Sequence, residues 1–446
     1  MTTKTIRSTS RIIRRGGPAE FRFTAEDVRA ASRRLAEPSW LAERRMAAWE
    51  SWVSLPLPTV QDEPWRRTDL RGLPADRVGL KAADEAQGPG DLDGTGANLL
   101  IRPGHAPQLT GQAALEASGT VFADWETAVR EHPTLLETHL GSAVAPAEGK
   151  FAALAAALAT EGTLLYVPKG VNLEVPLHAL VWAPGKDLAA FTRLLVVVEE
   201  GASASLVHET ASPPLGAAAA GLHAGIVELV VGGGAQLRFI EIQNWGNHVW
   251  NFTHERARVG RDGRIEWVFG AVGSHLTKNF SELSLEGQGA EGRWSGFYFA
   301  DGVQHLDHDT QQNHLAPNTT SDLLFKGALV DRSRSVWQGM IYVAPGAQKT
   351  DGYQANRNLI LSKKARADSI PGLEILADDV RCTHGATVSQ LEEEPLFYLM
   401  SRGIPRRQAE RLVVDGFFAS VLERIPLPEI RDRFHEMIDN KLGASV

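Results

Sequence analysis

The chain has 446 residues, 43% of them hydrophobic, enough to bury a large core and to suggest two or three domains. A net charge of -8 with no dense basic stripe argues against nucleic acid as the main partner. The one cysteine, Cys382, excludes an intrachain disulfide framework and suits a reducing, cytoplasmic setting. No apolar run reaches membrane-spanning length, because FAALAAALATEGTLLYV from Phe151 is interrupted by Thr160, Glu161 and Gly162.

The first stretch, MTTKTIRSTSRIIRRGG, is basic and lacks the apolar segment of a secretion signal, so residues 1–23 read as a flexible tail. From residue 24 to 150 the pattern is mostly helical. Amphipathic segments run from Thr24 to Trp52 and from Ala123 to Leu140, around a Gly- and Pro-rich stretch between Leu73 and Gly111. Thr24 followed by Asp27 marks a helix start, and Trp40, Trp49 and Trp52 read as packing anchors.

Residues 151–389 change character to short strands punctuated by glycine. YVPKGVNLEV, VVEEGASASLV, LVVGGGAQLRF and VGRDGRIEWV each join two strands through a polar turn, and Gly170, Gly201, Gly233 and Gly263 recur about every thirty residues. Strands this short cannot bury a face alone, so stacked coils of a β-solenoid are the economical solution, with a β-sandwich as the rival. Within this region HLDHDTQQNH holds His305, Asp307, His308, Asp309 and His314. These residue types suit zinc or iron, and a β-solenoid metallohydrolase using His305, His308 and His314 is one reading. Strand alternation, however, puts His305 and His308 on opposite faces, which favours a polar ladder. A polysaccharide lyase is a further solenoid option, set against the missing export signal. No Gly-x-x-x-x-Gly-Lys-Ser/Thr loop is present, so nothing points to ATP hydrolysis by this chain.

From residue 390 to 446 helices return. Glu392 to Glu394 before Pro395 begin one, and Gly403 ends it. Ala409, Leu412, Val413, Phe417 and Val421 have helical spacing, Pro426 and Pro428 break it, and Ile430, Phe434, Met437 and Ile438 share one face of a last helix. The most informative stretch lies just before these helices. In ADDVRCTHGATVSQLEEEPLFYLMSRGI, Cys382 and His384 are two residues apart and in a strand would share a face, offering a sulfur and an imidazole to one metal or partner. Arg381 and a protonated His384 would favour the thiolate. Two ligands do not close a site, so another chain would complete it; the competing reading is a small buried thiol beside a turn histidine.

This string resembles the C-terminal signature of the SufB/SufD family of iron–sulfur cluster assembly proteins, and CTHGAT with LFYLMSRGI is similar to the SufD branch. The SufB branch more typically has glutamate and serine where Gly385 and Thr387 stand. EPWRRTDL, Glu63 to Leu70, resembles the family's Glu-x-Trp-Arg/Lys-Tyr-Thr-Asp block with Arg67 in place of the tyrosine, and KTDGYQANRNLIL, Lys349 to Leu361, resembles a third block. The resemblance implies a mainly β fold, a right-handed parallel β-helix with helical regions at both ends. It implies a non-catalytic scaffold that pairs with a SufB-like paralogue through the solenoid ends and carries a SufC-like ATPase on its C-terminal helices. Leu412, Val413, Phe417 and Phe418 are then the docking candidates. A nascent iron–sulfur cluster would be held transiently at the interface by Cys382 and His384, with none stably bound to the isolated chain. A SufB-like scaffold, and a homodimer in isolation, remain open.

Overall fold

The computed structural model describes residues 20–80, 96–112, 115, 117–216, 218–425 and 427–444. Its strands are β1 Asn98–Ile101, β2 Gln108–Thr110, β3 Val121–Asp124, β4 Glu161–Val167, β5 Leu177–Trp182, β6 Leu188–Val198, β7 Ser203–Ala211, β8 Gly221–Val231, β9 Gln236–Asn244 and β10 Val249–Val259. They continue as β11 Arg264–Ala271, β12 Leu276–Leu285, β13 Glu291–Ala300, β14 His305–His314, β15 Thr320–Leu329, β16 Arg334–Val343, β17 Asp351–Ile360, β18 Arg366–Ile375 and β19 Arg381–Gln390. One sheet runs β19-β17-β15-β13-β11-β9-β7-β5-β1-β2 and the other β18-β16-β14-β12-β10-β8-β6-β4-β3. From β4 onward consecutive strands alternate between two facing sheets with every pairing between them parallel, while β1–β2 and β3–β4 are antiparallel closures at the N-terminal end, which defines a parallel β-solenoid rather than a sandwich. Leu276 lies opposite His305, and His305 opposite Arg334, equal steps of 29 residues.

The repeat is fixed by stacked turns whose amides bond from coil to coil. Gly170 N–H donates to the Glu200 carbonyl, Gly201 to Gly233, Gly234 to Arg261, Asp262 to Gln288, Gly289 to Pro317, Asn318 to Gln348 and Lys349 to Asp379. Each donor has a positive φ, which glycine adopts freely and aspartate or asparagine at modest cost. The periodic glycine pattern is therefore real but offset: the left-handed residues of the third and fourth coils are Gly234 and Asp262, not Gly233 and Gly263.

Period-2 alternation fills the space between the sheets. Phe239, Trp267, Trp294, Phe325 and Trp337 point inward, and Trp267 stacks on Trp294 with centroids 4.4 Å apart. Burying one such ring removes roughly 150–250 Å² from water, worth about 4–6 kcal/mol before chain entropy.

Helices α1 Ala25–Arg34, α2 Ser39–Ser54, α3 Trp125–Glu131, α4 Pro133–His139 and α5 Lys150–Leu158 cover the outer face of the second sheet at its N-terminal end. Thr24 and Asp27 form a reciprocal capping box at α1, as the sequence predicts. Residues 24–150 are less helical than expected, because β1, β2 and β3 complete the ends of the two sheets. Residue 151 does not begin strand structure: α5 spans it with every residue from Phe151 to Leu158 buried, and β4 starts at Glu161. Of the expected tail, residues 1–19 lie outside the described residues, whereas Phe23 is buried in T-shaped contact with Phe191.

At the other end come α6 Glu393–Ser401, α7 Arg406–Leu422 and α8 Pro428–Ala444. Gly403, at φ 85°, ends the α6 turn. Phe418, Val421, Phe434 and Ile438 are fully buried against Val268, Phe297 and Phe299 of the first sheet. No helix among the described residues is long and apolar enough to cross a membrane.

Candidate functional site

The C-terminal end of the solenoid is open. Among the described residues β18 and β19 are the last strands of their sheets, so each presents a backbone edge that no described strand pairs, and none of their residues is fully buried. Leu373, Ile375, Leu376 and Val388 are exposed there, an apolar surface beside two free edges.

Cys382 and His384 lie on β19 opposite Gly352 and Gln354 of β17, in the row that faces the space between the sheets. Cys382 is partly buried against Ile341, Val343 and Ala347, while His384 is exposed. The expected thiolate-promoting field is reversed. Burial pushes the Cys382 thiol up, and the Asp351 carboxylate pushes it the same way against the Gly352 backbone hydrogen bond. Arg381 does not counter this, because its guanidinium is paired with Asp351.

The three histidines of HLDHDTQQNH are not brought together. His308 points inward between Phe269 and Tyr298, 5.0 and 5.4 Å between ring centroids, with Nε2 buried and unpartnered. His314 also points inward, hydrogen-bonded with Thr319 Oγ1 and Ser321 Oγ at 2.8 Å each. His305 faces outward, 2.8 Å from Thr68 Oγ1. Burial lowers all three to about 4, so they are neutral near pH 7. Among the described residues no group of three or more His, Cys, Asp or Glu side chains is arranged to hold a metal ion. The metallohydrolase reading loses its geometric basis.

The same strand shows what the Glu63–Leu70 block does. Trp65 is buried against Phe151, Phe252 and Phe280, and Thr68 donates to Asp307 Oδ2 while contacting His305. The block straps the N-terminal segment onto β12 and β14.

Sequence reasoning missed a second polar element. Glu241 on β9 and Glu255 on β10 point inward and face each other; Asn279 donates to Glu255 at 2.7 Å and Ser281 at 2.8 Å. Burial, then the Glu255 charge, pushes Glu241 well above the usual carboxylate range, and burial also raises Glu255. Burial beside Glu255 therefore favours the protonated form of Glu241. The only sequence sign is that Glu241 occupies an inward register, two residues after Phe239 and two before Gln243.

Of the four docking candidates on α7, Leu412 is exposed, Val413 and Phe417 are half-buried, and Phe418 is buried beneath the helix, 5.5 Å from Phe297 between ring centroids. Phe418 is therefore a core residue. The exposed apolar side chains of this region are Phe397, Tyr398 and Met400 on α6, together with Leu412.

Residues 181–417 match the family described as "SUF system FeS cluster assembly, SufBD core domain", and residues 105–179 match "SufBD protein N-terminal region". The chain belongs to the SufBD family of iron–sulfur cluster assembly proteins. It is 31% identical over 448 residues to the iron–sulfur cluster assembly protein SufB of Bacillus subtilis, covering 95% of this chain and 94% of that protein. It is equally similar, with the same coverage, to SufBD family proteins of Staphylococcus haemolyticus and Staphylococcus epidermidis. The SufBD core match runs from β5 to Phe417, so it includes the open solenoid end with Cys382 and His384.

Proposed function

We propose that this chain is a non-catalytic scaffold subunit of a cytoplasmic SUF-type iron–sulfur cluster assembly complex, pairing through its open solenoid end with a SufB-like scaffold and carrying a SufC-like ATPase on its C-terminal helices. The observation that carries this reading is the pair of uncovered edge strands, β18 and β19, with Cys382 and His384 in the inward row and apolar side chains beside them. Free edges and exposed apolar surface are what a second solenoid end would cover. The nascent cluster is cargo. His384 would offer an imidazole nitrogen to iron, and Cys382, whose thiol burial pushes up, would ligate as iron displaces its proton. The partner would supply the remaining ligands. The ATPase is assigned to Phe397, Tyr398, Met400 and Leu412 rather than to Phe418.

Gly385 and Thr387 favour a SufD-type member, whereas the name of the Bacillus subtilis relative favours a SufB-type one. Coexpression with a SufB-like protein and a SufC-like ATPase tests the proposal. Copurification of all three is expected, and the double variant Ile375→Asp/Val388→Asp should lose the scaffold partner while retaining the ATPase. Unchanged pairing in that variant would remove the open end from the interface. A chain that stays a homodimer in the presence of its partners would remove the heteromeric reading.

A further inference from the structure

Arg193 stands on β6 with its side chain on the outer face of the second sheet, beneath the N-terminal helices. Among the described residues its one ion contact is to Glu228 Oε2 at 3.9 Å. That carboxylate is already engaged: Oε2 accepts from Gly141 N–H at 2.9 Å, and Oε1 accepts from Ala143 and Val144 N–H at 2.9 and 3.2 Å. The side chain is only 12% exposed, and among the described residues its guanidinium has no hydrogen-bond acceptor in the protein. The neighbouring buried arginine is the contrast: Arg45 donates to Glu37 and to the Ala157 carbonyl. The Arg193 donors are therefore left for whatever occupies the space they line.

Arg193 opens on a pocket of about 520 Å³ between α2, α4 and the loop that precedes α5. Leu41, Ala48 and Val144 give it an apolar wall. Trp125 also lines it, and its indole N–H is buried without a partner. Arg44 and Glu137 are exposed residues of opposite charge on the lining, so they add little net charge. The volume falls in the range of small-molecule sites, and an apolar wall with convergent donors is their usual chemistry.

We infer that this pocket is a binding site for a small amphiphilic carboxylate, its carboxylate on Arg193 and its apolar body against Leu41, Ala48 and Val144. Carboxylate matches the planar donor fork of arginine, and an apolar tail matches the wall. The site lies on the N-terminal part of the solenoid, away from Cys382.

Decanoate and uncharged decanol, titrated calorimetrically against the full chain, test the inference. Decanoate is expected to bind with one-to-one stoichiometry and at least tenfold tighter than decanol. Arg193→Met should weaken decanoate at least tenfold while leaving decanol unchanged, and Arg193→Lys should recover part of the loss. Ala47→Trp, at an exposed position of the lining, should obstruct both ligands and keeps the test decisive if Arg193→Met does not fold. Equal binding of the two ligands, no binding of decanoate, or decanoate binding unaffected by Ala47→Trp would each overturn the assignment.

Discussion

Lys278 and Asp307 sit directly opposite each other on β12 and β14, their charged atoms 3.0 Å apart and neither side chain exposed to any solvent. The ammonium also lies 4.6 Å from the Phe280 ring centroid and 5.9 Å from that of Trp65, and Thr68 completes the carboxylate. One strap thus closes over a buried ion pair.

Breaking this pair leaves an uncompensated charge in a dry site. Asp307→Ala or Lys278→Ala should destabilise the chain by about 3–5 kcal/mol, and Thr68→Val by about 1–3 kcal/mol. Urea unfolding with an unchanged m-value measures this. If Asp307→Ala leaves the midpoint where it was, the pair does not hold the strap.

The Glu241–Glu255 pair makes a prediction about pH. Glu241 has a raised folded pKa, so above its ordinary value of 4.5 the folded chain binds more protons than the unfolded chain, and stability falls as pH rises toward the folded value. The slope is roughly 1.4 kcal/mol per pH unit for one proton. Glu241→Gln removes the titration while keeping a donor to Glu255. It should be more stable than the natural chain at pH 8, with the difference shrinking toward pH 5. Melting curves across that range decide it, and a variant less stable at pH 8 would contradict the raised Glu241 carboxyl.

Six histidines act in the opposite sense. His208 and His254 are lowered to about 3, and His223, His305, His308 and His314 to about 4, chiefly by burial. Between pH 6.5 and these values the unfolded chain takes up protons that the folded chain refuses, so stability is lost as pH falls. Below pH 6 this should outweigh the single carboxyl pair. Proton uptake measured on acid unfolding at pH 5 should exceed one per chain; an uptake near zero would contradict the buried, neutral assignment.

The C-terminal helices separate docking from packing. Phe418→Ala should cost about 3–5 kcal/mol, because it opens a cavity against Phe297 and Phe299. Phe397→Ser with Tyr398→Ser should change stability by no more than about 0.5 kcal/mol while weakening ATPase capture. Full capture by that double variant would move the docking face elsewhere.

For the open end, His384→Ala should leave folding and assembly intact and abolish cluster formation by the assembled complex. Cys382→Ser should lose some stability, since the sulfur packs on Ile341 and Val343. A destabilised Cys382 variant alongside a fully active His384 variant would leave the motif as structure only.

Much of the architecture is legible in local chemistry. The capping residues Thr24 and Asp27 and the acids before Pro395 lie where the sequence places them, and the glycine-marked turns do so to within a residue, with Gly234 and Asp262 in place of Gly233 and Gly263. Cys382 and His384 share a face because two-residue spacing in a strand leaves no alternative. What escaped depends on partners remote in sequence. Whether Phe418 packs or docks is decided by Phe297, more than a hundred residues away. Glu241 and Glu255 meet only because the register of two coils turns both inward, and nothing local in the sequence marks them as a pair. The four-residue strands β1 and β3 are too short for periodicity to reveal, and they become strands only through pairing with β5 and β4.

The column of left-handed turns has a consequence for how this protein opens. Every rung joins one coil to the next, and the last, from Lys349, reaches the carbonyl of Asp379 in the segment leading into β19. Amide hydrogen exchange should therefore be slowest around Gly234 and Asp262 and accelerate coil by coil toward Asp379, where nothing stacks beyond. Ligation of the free end by another chain would slow exchange first at that terminal coil, with the effect fading inward, so occupancy of the interface would be readable as the position at which protection begins.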